Sequence, residues 1–388
     1  MPHKLISRNP DLKKLWNEGY VLEIVGNTHL FVHEVPYVND KGKVSRGTLV
    51  TSLDLQGDAT TSPVPDHVIH FMGGYPFDDK GVKLEKLVNA SSDSIIVENR
   101  IVNHSFSHKP STGYVDYWHK IISYADILGN YARAIDPTVT ARIFKRIKSN
   151  SKSIFKYPDT NTARAGVSAI ADKLSGHKIA IVGMGGTGSY VLDFVAKTPV
   201  GEIHIYDNDY FLTHNAYRAP GAPSIGRLRE RHTKVDYHAA NYSNMHKGII
   251  QHPYQLDTST ITSMAQVDFV FICIDSGAAK KALIEKLIET DTPFVDTGIG
   301  MDVTDGKLRG TVRTTLAVPG SYDRLLNQVS FAESGDNEYS KNIQIAEVNA
   351  LNASLAVIAW KQHVGYYHAL LDVRNLIYNI DCNQLINE

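Results

Sequence analysis

Cysteine is scarce in this sequence. Only Cys273 and Cys382 occur among the 388 residues, which excludes a disulfide framework and a zinc site built from cysteines. So few cysteines fit a reducing compartment, and we expect a cytoplasmic protein. The 17 histidines are scattered singly, without an HExxH or similar spacing, and therefore predict no metal site of their own.

An excess of one charge and a long apolar run are also missing. Lys and Arg number 40 against 41 Asp and Glu, a net charge of -1, so no general attraction to nucleic acid or to an anionic membrane is expected. No run approaches the roughly 18 apolar residues of a membrane-spanning helix. The first residues, MPHKLISRNPDLKKLW, lack the apolar segment of a signal peptide. We expect neither nucleic acid nor membrane as a partner.

The first 150 residues have the pattern of a small α+β domain. A short amphipathic helix is predicted in NPDLKKLWNEGY, and strand-like runs such as VLEIVGNTHLFVHEVPYV and DHVIHFMGGYPF follow between turn signals. The segment beginning GYVDYWHKIISYADILGNYARAI reads as helix, interrupted near Pro137. The polar stretch KSNSKSIFKYPDTNT at 148–162 predicts a boundary between domains of residues 1–150 and 151–388.

From about residue 163 apolar runs alternate with helical segments. KIAIVG, EIHIYD, DFVFICID and TPFVDTGI are candidate parallel strands, and helices are expected near 187–197, 233–250 and 277–290. A further sheet region, KLRGTVRTTLAVPG, precedes a long helix and a weak terminal strand, RNLIYNIDCNQL. This alternation predicts a Rossmann-like α/β domain with a parallel or mixed sheet and ligands at the carboxyl ends of its strands.

A glycine-rich loop joins the first of these strands to a helix. Gly183, Gly185 and Gly188 form G-x-G-x-x-G, with Gly186 as an extra glycine. The three positions permit a tight turn, close approach of backbone to phosphate, and close helix–strand packing. Asp207 ends the next strand, where a carboxylate can accept hydrogen bonds from a ribose. These features predict a nucleotide site, but they are equally expected of an NAD-dependent dehydrogenase.

Cationic and amide side chains beyond the loop favour ATP over a nicotinamide cofactor. Asn215 and Arg218 form an Asn-x-x-Arg unit after the ribose acid, and Lys234 begins the next predicted helix. Asp275 ends the strand DFVFICID. Hydride transfer has no need of these groups. Attack of a carboxylate on the α-phosphate of ATP needs cations for the developing charge and a carboxylate for Mg²⁺.

With these motifs the sequence resembles the ThiF/MoeB/HesA superfamily of adenylyltransferases. The resemblance covers about 163–370 and rests on GMGGTG, on DND through HNAYR, on CIDS, and on FVDTGIGMDVTDGKLRGTV. It implies ATP-dependent activation of the C-terminal carboxylate of a ubiquitin-like or sulfur-carrier protein by a homodimer. It implies the following roles: Asp207 and Asp209 at the nucleotide, Asn215, Arg218 and Lys234 at the phosphates, Asp275 at Mg²⁺, and Arg164 (in NTARAG) reaching a partner's active site.

The sequence departs from that family in its cysteines. The two CxxC pairs of sulfur-carrier activators are missing, and the crossover region at about 320–345 has no cysteine for a thioester. Cys273 is expected to be a buried structural residue. Either the acyl group of the adenylate is transferred directly to a nucleophile of another protein, or a hydroxyl of Ser330, Ser334 or Ser340 accepts it in place of the cysteine.

The N-terminal domain combines a predicted leading helix, a β-meander and a proline-rich corner, PVPDHVIHFMGGYP. This layout resembles that of ubiquitin-conjugating enzymes, but the domain contains no cysteine. We interpret it as a recognition module for the carrier or a conjugating partner, with His67, His70 and His108 at its surface. For the whole chain the sequence predicts an ATP- and Mg²⁺-dependent adenylyltransferase. An NAD(P)-dependent oxidoreductase and a non-catalytic nucleotide-binding adaptor remain the alternatives.

Overall fold

The structure is a computed structural model that describes residues 4–147, 153–157, 159–165, 167–275, 277–322, 328–329 and 343–388. It divides the chain into two compact units, Met1–Asp172 and Lys173–Glu388. The boundary expected from sequence, at residue 150, precedes this division. The expected fold class is confirmed, with an antiparallel α+β unit followed by a mixed α/β unit. None of the described helices is both long and apolar enough to cross a bilayer.

The first unit is built on an antiparallel sheet of six strands, in the order β1-β2-β3-β6-β8-β7. The strands are β1 (Val21–Val25), β2 (His29–Val38), β3 (Val44–Ser52), β4 (Leu55–Gln56), β5 (Ala59–Thr60), β6 (Val68–Met72), β7 (Val88–Val97) and β8 (Arg100–Ser107). The helices are α1 (Lys4–Arg8), α2 (Pro10–Asn17), α3 (Tyr117–Ile135), α4 (Thr160–Arg164) and α5 (Ser168–Ala171). Strands β4 and β5 form a separate small hairpin.

Helix α3 supplies much of the core of this unit. The side chain of Asp116 caps its first turn by accepting a 2.7 Å hydrogen bond from the backbone N–H of His119. Tyr117, Ile121 and Tyr124 then share one buried cluster with the sheet, as the helical period requires. The helix ends directly before Asp136 and Pro137, because the residue before a proline is driven out of helical geometry.

The second unit is an eight-stranded sheet in the order β11-β10-β9-β12-β13-β14-β15-β16. Its strands are β9 (Lys178–Val182), β10 (Glu202–Tyr206), β11 (Ile249–His252), β12 (Phe269–Ile272), β13 (Phe294–Thr304), β14 (Lys307–Ala317), β15 (Asn375–Asn379) and β16 (Gln384–Asn387). Its helices are α6 (Gly186–Val195), α7 (Thr213–Ala216), α8 (Ile225–Arg229), α9 (Lys234–Tyr242), α10 (Gly277–Glu289) and α11 (Ala346–His363). Short 3-10 helices span Asp172–Leu174 and Ile261–Ser263. Strands β9 to β13 pair in parallel and β13 to β16 antiparallel.

Both faces of the parallel strands are covered. Ile179 and Ile181 of β9 belong to one core, which Trp360 of α11 completes. The intervening Ala180 and Val182 belong to a second core on the opposite face, together with α10. Successive side chains of a strand point to opposite faces, so an unbroken apolar run such as KIAIV is what a doubly covered strand requires.

Two elements at the edges of this sheet differ from the sequence prediction. The helix expected at 233–250 ends at Tyr242, and Ile249–His252 forms the parallel edge strand β11. This strand contains only two apolar residues, and a pattern this short does not distinguish a strand from the end of a helix. The single weak strand expected at the end of the chain is an antiparallel pair, β15 and β16.

A buried histidine in the second unit makes its stability depend on pH. His238 of α9 is 1% exposed, and burial, with a smaller effect of Lys234, lowers its pKa to about 3. The unfolded chain binds this proton near pH 6.5, so the stabilisation is complete above that pH and is lost as the pH falls toward 3, at up to about 1.4 kcal/mol per pH unit. When the pH falls from 7 to 5, we expect the melting temperature of the His238→Gln variant to decrease less than that of the native chain.

The control for this prediction is His214→Gln, which changes an exposed histidine of the same unit. It should keep the native pH dependence of melting. If the melting temperatures of the native chain and of His238→Gln decreased equally between pH 7 and pH 5, the prediction would be contradicted.

Candidate functional site

The glycine loop between β9 and α6 has three distinct local environments. Gly183 has φ of +93°, which disfavours any side chain, and a Cβ there would press on the carbonyl oxygen of Cys273. Around Gly185, which caps α6, the side-chain position is open space. A side chain on Gly188 would collide with the Gly183 carbonyl. The loop therefore turns tightly at Gly183, leaves its backbone accessible at Gly185, and packs closely against the strand at Gly188. Binding of an anion at this helix N-terminus stays a prediction.

Most of the residues singled out from the sequence meet in one cleft at this loop. Its lining includes Gly183, Gly185, Asp207, Asp209, Arg218, Lys234 and Asp275, around a volume of about 480 Å³. Asn215, Gly186 and Gly188 are not in this lining. Arg164 ends α4 in the first unit, and its side chain lies outside the described residues.

Asp207 and Lys234 form a buried ion pair on the floor of the cleft. Asp207 Oδ2 accepts a 2.7 Å hydrogen bond from the Met184 N–H, which fixes the glycine loop, and its Oδ1 accepts one of 2.8 Å from the Asp209 N–H. Lys234 Nζ lies 3.3 Å from Asp207 Oδ2 and 2.6 Å from Asp209 Oδ2. The lysine predicted to contact phosphates thus pairs with two carboxylates. Lys234 is the first residue of α9, where the helix dipole disfavours a positive charge, and the two carboxylates compensate for this.

Asn215 and Arg218 lie in and just after the short helix α7. Asn215 is 3% exposed, and its Oδ1 accepts a 2.8 Å hydrogen bond from the Leu212 N–H, so it shapes the turn that carries the arginine. The Nε–H of Arg218 is buried without a hydrogen-bond acceptor among the described residues. An unpaired buried donor is costly, and here it belongs to a cation that lines the cleft, where an anion would satisfy it.

Asp275 follows β12 at the carboxyl edge of the sheet and is exposed to the cleft. Among the described residues no group of three or more His, Cys, Asp or Glu could hold a metal ion by itself. Mg²⁺ that accompanies a nucleotide usually takes only one or two carboxylates, and phosphates and water complete its shell. One exposed carboxylate beside cationic side chains is therefore a donor set that fits this metal.

Behind the cleft lies a buried charge cluster that the sequence analysis missed. Asp296 of β13 is fully buried. Its Oδ1 is 2.9 Å from Lys280 Nζ of α10, and its Oδ2 is 2.7 Å from Arg313 Nη2 of β14. The signal was the acid in the apolar run FVDTG, since a buried carboxylate must be paired. Its partners could not be identified because they come from different elements.

Helix α11 contributes two buried asparagines that were also missed. Asn349 accepts a 3.2 Å hydrogen bond from Thr187 Oγ1 and donates one of 3.3 Å to the Arg218 carbonyl. A side chain on Gly186 would collide with Asn349, so packing alone accounts for this extra glycine. Asn352 is likewise buried. The asparagine pair, three residues apart in an apolar helix, was the available signal, since buried amides need partners.

Cys273 in the cleft wall is expected to be chemically inert. Although the residue is only half-buried overall, burial of its thiol raises the pKa to about 12. At pH 8 the reactive thiolate is then on the order of 10⁻⁴ of the total. Iodoacetamide should label the exposed Cys382 in the native chain, as read by peptide mass spectrometry, and should label Cys273 only after unfolding. Rapid native labelling of Cys273 would contradict this.

Comparison with known families agrees with this architecture. The ThiF family model matches residues 159–381, more than half of the chain, and the protein belongs to the ThiF family. Residues 10–160 match a domain of unknown function, DUF6791. The resemblance expected from the glycine loop and its neighbouring motifs is thereby confirmed.

Curated relatives include ubiquitin-like modifier-activating enzyme 5 of several organisms. The Bombyx mori protein is 22% identical over 160 residues, which cover 38% of this chain and 40% of the relative. The Oryza sativa protein is 23% identical over 173 residues, covering 40% and 39%. The chain thus spans about two-fifths of the length of these relatives. Among solved structures, E. coli MccB with ATP has 17% identity and a TM-score of 0.47, over 59% of this chain and 71% of that one.

Proposed function

We propose that this protein uses ATP to adenylate a carboxylate of a peptide or protein substrate and releases pyrophosphate. The observation that carries the proposal is the Arg218 guanidinium, which has a buried Nε–H without an acceptor in the same cleft as Lys234, Asp275 and the open glycine loop. Cations and a metal-binding carboxylate in one cleft suit the charge of a triphosphate, whereas hydride transfer itself makes no use of them. Membership of the ThiF family adds support.

The chemistry assigns a role to each side chain in the cleft. The substrate carboxylate attacks the α-phosphorus of ATP, the bond from this phosphorus to the bridging oxygen breaks, and pyrophosphate leaves. Arg218 stabilises the negative charge that grows on the phosphoryl oxygens, and Lys234, which pairs with Asp207 and Asp209, contributes the third hydrogen of its ammonium. The backbone at Gly185 and the N-terminus of α6 receive phosphate, and Asp207 accepts hydrogen bonds from the ribose. Mg²⁺, held by Asp275, would neutralise the phosphates when bound.

We further propose that the substrate carboxylate is the C-terminus of a ubiquitin-like or sulfur-carrier protein. The names of the curated relatives support this choice. We propose that the protein is cytoplasmic and acts as a homodimer to which Arg164 contributes, and that the first unit recognises the carrier or a conjugating partner. The hydroxyl candidates Ser330, Ser334 and Ser340 lie outside the described residues. We favour direct transfer of the acyl group to another protein, because burial keeps the Cys273 thiol protonated and the crossover region at about 320–345 contains no cysteine.

Isotope exchange between pyrophosphate and ATP tests this function directly. Exchange should occur only with Mg²⁺ and a candidate carrier, and it should disappear when the final residue of the carrier is amidated, because the attacking carboxylate is then lost. The molar mass measured by light scattering should be that of a homodimer. A change in nicotinamide absorbance with no exchange would instead favour the oxidoreductase.

A further inference from the structure

The first unit contains a cavity of about 590 Å³, in the range of small-ligand sites. Its walls come from β2, β6, β7, the turn after β3, the proline-containing loop before β6 and the segment around α5. All lining residues belong to the unit Met1–Asp172. The cavity shares no described lining residue with the nucleotide cleft, and the proposed adenylation makes no use of it.

A buried imidazole in the cavity wall has an unused ring nitrogen. His29 is 6% exposed, and its Nδ1 lies 3.0 Å from Thr28 Oγ1. Its Nε2 has no hydrogen-bond partner among the described residues. Burial lowers the pKa of His29 to about 4, so the ring is neutral at pH 7 and one ring nitrogen is an acceptor. His70, predicted to be a surface residue, is half-buried and lines the same cavity, and burial lowers its pKa also.

The charged groups in the wall have one sign. Asp54, 8% exposed, and the exposed Asp66 both line the cavity, and no lysine or arginine does so among the described side chains. Behind the wall, Lys120 is fully buried and donates to Thr51 Oγ1 at 2.9 Å and to the Asp66 carbonyl at 2.8 Å. These bonds fix the Asp66 loop in place. The Lys120 ammonium interacts with the Asp54 and Asp66 carboxylates and offsets part of their charge. The lining itself still offers two carboxylates and neutral polar groups, and it favours a cationic donor.

The rest of the wall is partly apolar. Val68, Ile95, Ile96 and Ala165 supply an apolar part of the lining, beside Pro65 and the serines Ser52, Ser94 and Ser168, and this part suits an aliphatic stem that carries its charge at the end. From the two carboxylates, the neutral His29 ring and the apolar part of the wall, we propose that the cavity binds a primary alkylammonium group, such as the side chain of a lysine. The source is either a lysine within a peptide or a free small amine.

Binding to the full-length chain can be measured by calorimetry with two matched probes. Nα-acetyl-lysine methylamide carries the ammonium, and Nα-acetyl-norleucine methylamide has the stem without it. Saturable binding is expected for the lysine probe only. Butylammonium distinguishes the sources, because equal affinity indicates a free amine and tighter binding of the lysine probe indicates a peptide. The proposal would be overturned if neither the lysine probe nor butylammonium bound saturably, or if the norleucine probe bound as tightly as the lysine probe.

Two variants locate the binding. Asp66→Asn removes an exposed charge but keeps an oxygen that can accept the Val68 N–H, and it should weaken binding by tenfold or more. Ser94→Trp fills the cavity from the exposed face of β7 and should abolish binding. Asp79→Asn, an exposed acid of the same unit outside the lining, should bind normally. Unchanged affinity in both Asp66→Asn and Ser94→Trp would show that the cavity is not the site.

Discussion

Asp275→Ala is expected to abolish ATP–pyrophosphate exchange. The carboxylate follows β12 at the sheet edge and faces the cleft, where it is the proposed protein ligand of Mg²⁺. Loss of metal-assisted charge stabilisation costs several kcal/mol at the transition state, which corresponds to about a thousandfold or more in rate. Because Asp275 is exposed, the variant should fold normally, and its melting temperature should stay close to that of the native chain.

A second substitution separates metal binding from other roles of this side chain. Asp275→Asn keeps one oxygen ligand but loses the charge, so a higher Mg²⁺ concentration should restore part of the exchange, whereas Asp275→Ala should respond little. Asp302→Ala is the matched control, because this exposed acid accepts a hydrogen bond from the adjacent Val303 N–H and pairs with Arg309 on the surface, an ion pair worth little. Exchange within a few-fold of native in Asp275→Ala would remove the support for a metal role.

The order of elements in the second unit could be predicted because each parallel strand is a dense apolar run. KIAIV, EIHIY and FVFI form β9, β10 and β12, and each is followed by a helix or by polar residues. The short edge strand β11 escaped prediction because it is stabilised by pairing with β10 more than by its own pattern. In the first unit the spatial order of strands depends on long-range pairing, so the cavity beside His29 has no signature in the sequence.

Co-location of the candidate site residues followed from one rule, since the carboxyl ends of parallel strands meet at one sheet edge. That rule placed Asp207 and Asp275 beside the glycine loop. It did not specify which side chains touch. The pairing of Lys234 with two carboxylates and the burial of Asp296 between Lys280 and Arg313 depend on side-chain reach between separate elements, which a sequence pattern does not encode.

Arg218→Ala is expected to slow exchange by about a hundredfold or more, the effect of removing one preorganised group that stabilises developing charge. Its position is unusually well determined, because Asn215 shapes the turn before it and Asn349 bonds its backbone carbonyl at 3.3 Å. The backbone that carries the guanidinium is therefore fixed before any nucleotide arrives. We expect the loss mainly in the maximal rate, with a smaller change in the half-saturating ATP concentration, because the charge on the phosphoryl oxygens is greatest in the transition state.

Arg218→Lys tests whether charge alone is sufficient. The ammonium keeps the positive charge but lacks the Nε–H that is buried without an acceptor, and it cannot form a bidentate contact, so it should restore only part of the rate. Arg229→Ala, at an exposed position at the end of α8, is the control and should exchange at the native rate. If Arg218→Ala matched this control, the unpaired guanidinium would have a purely structural role. The adenylation proposal would then lose the observation on which it stands, even if the chain still bound ATP.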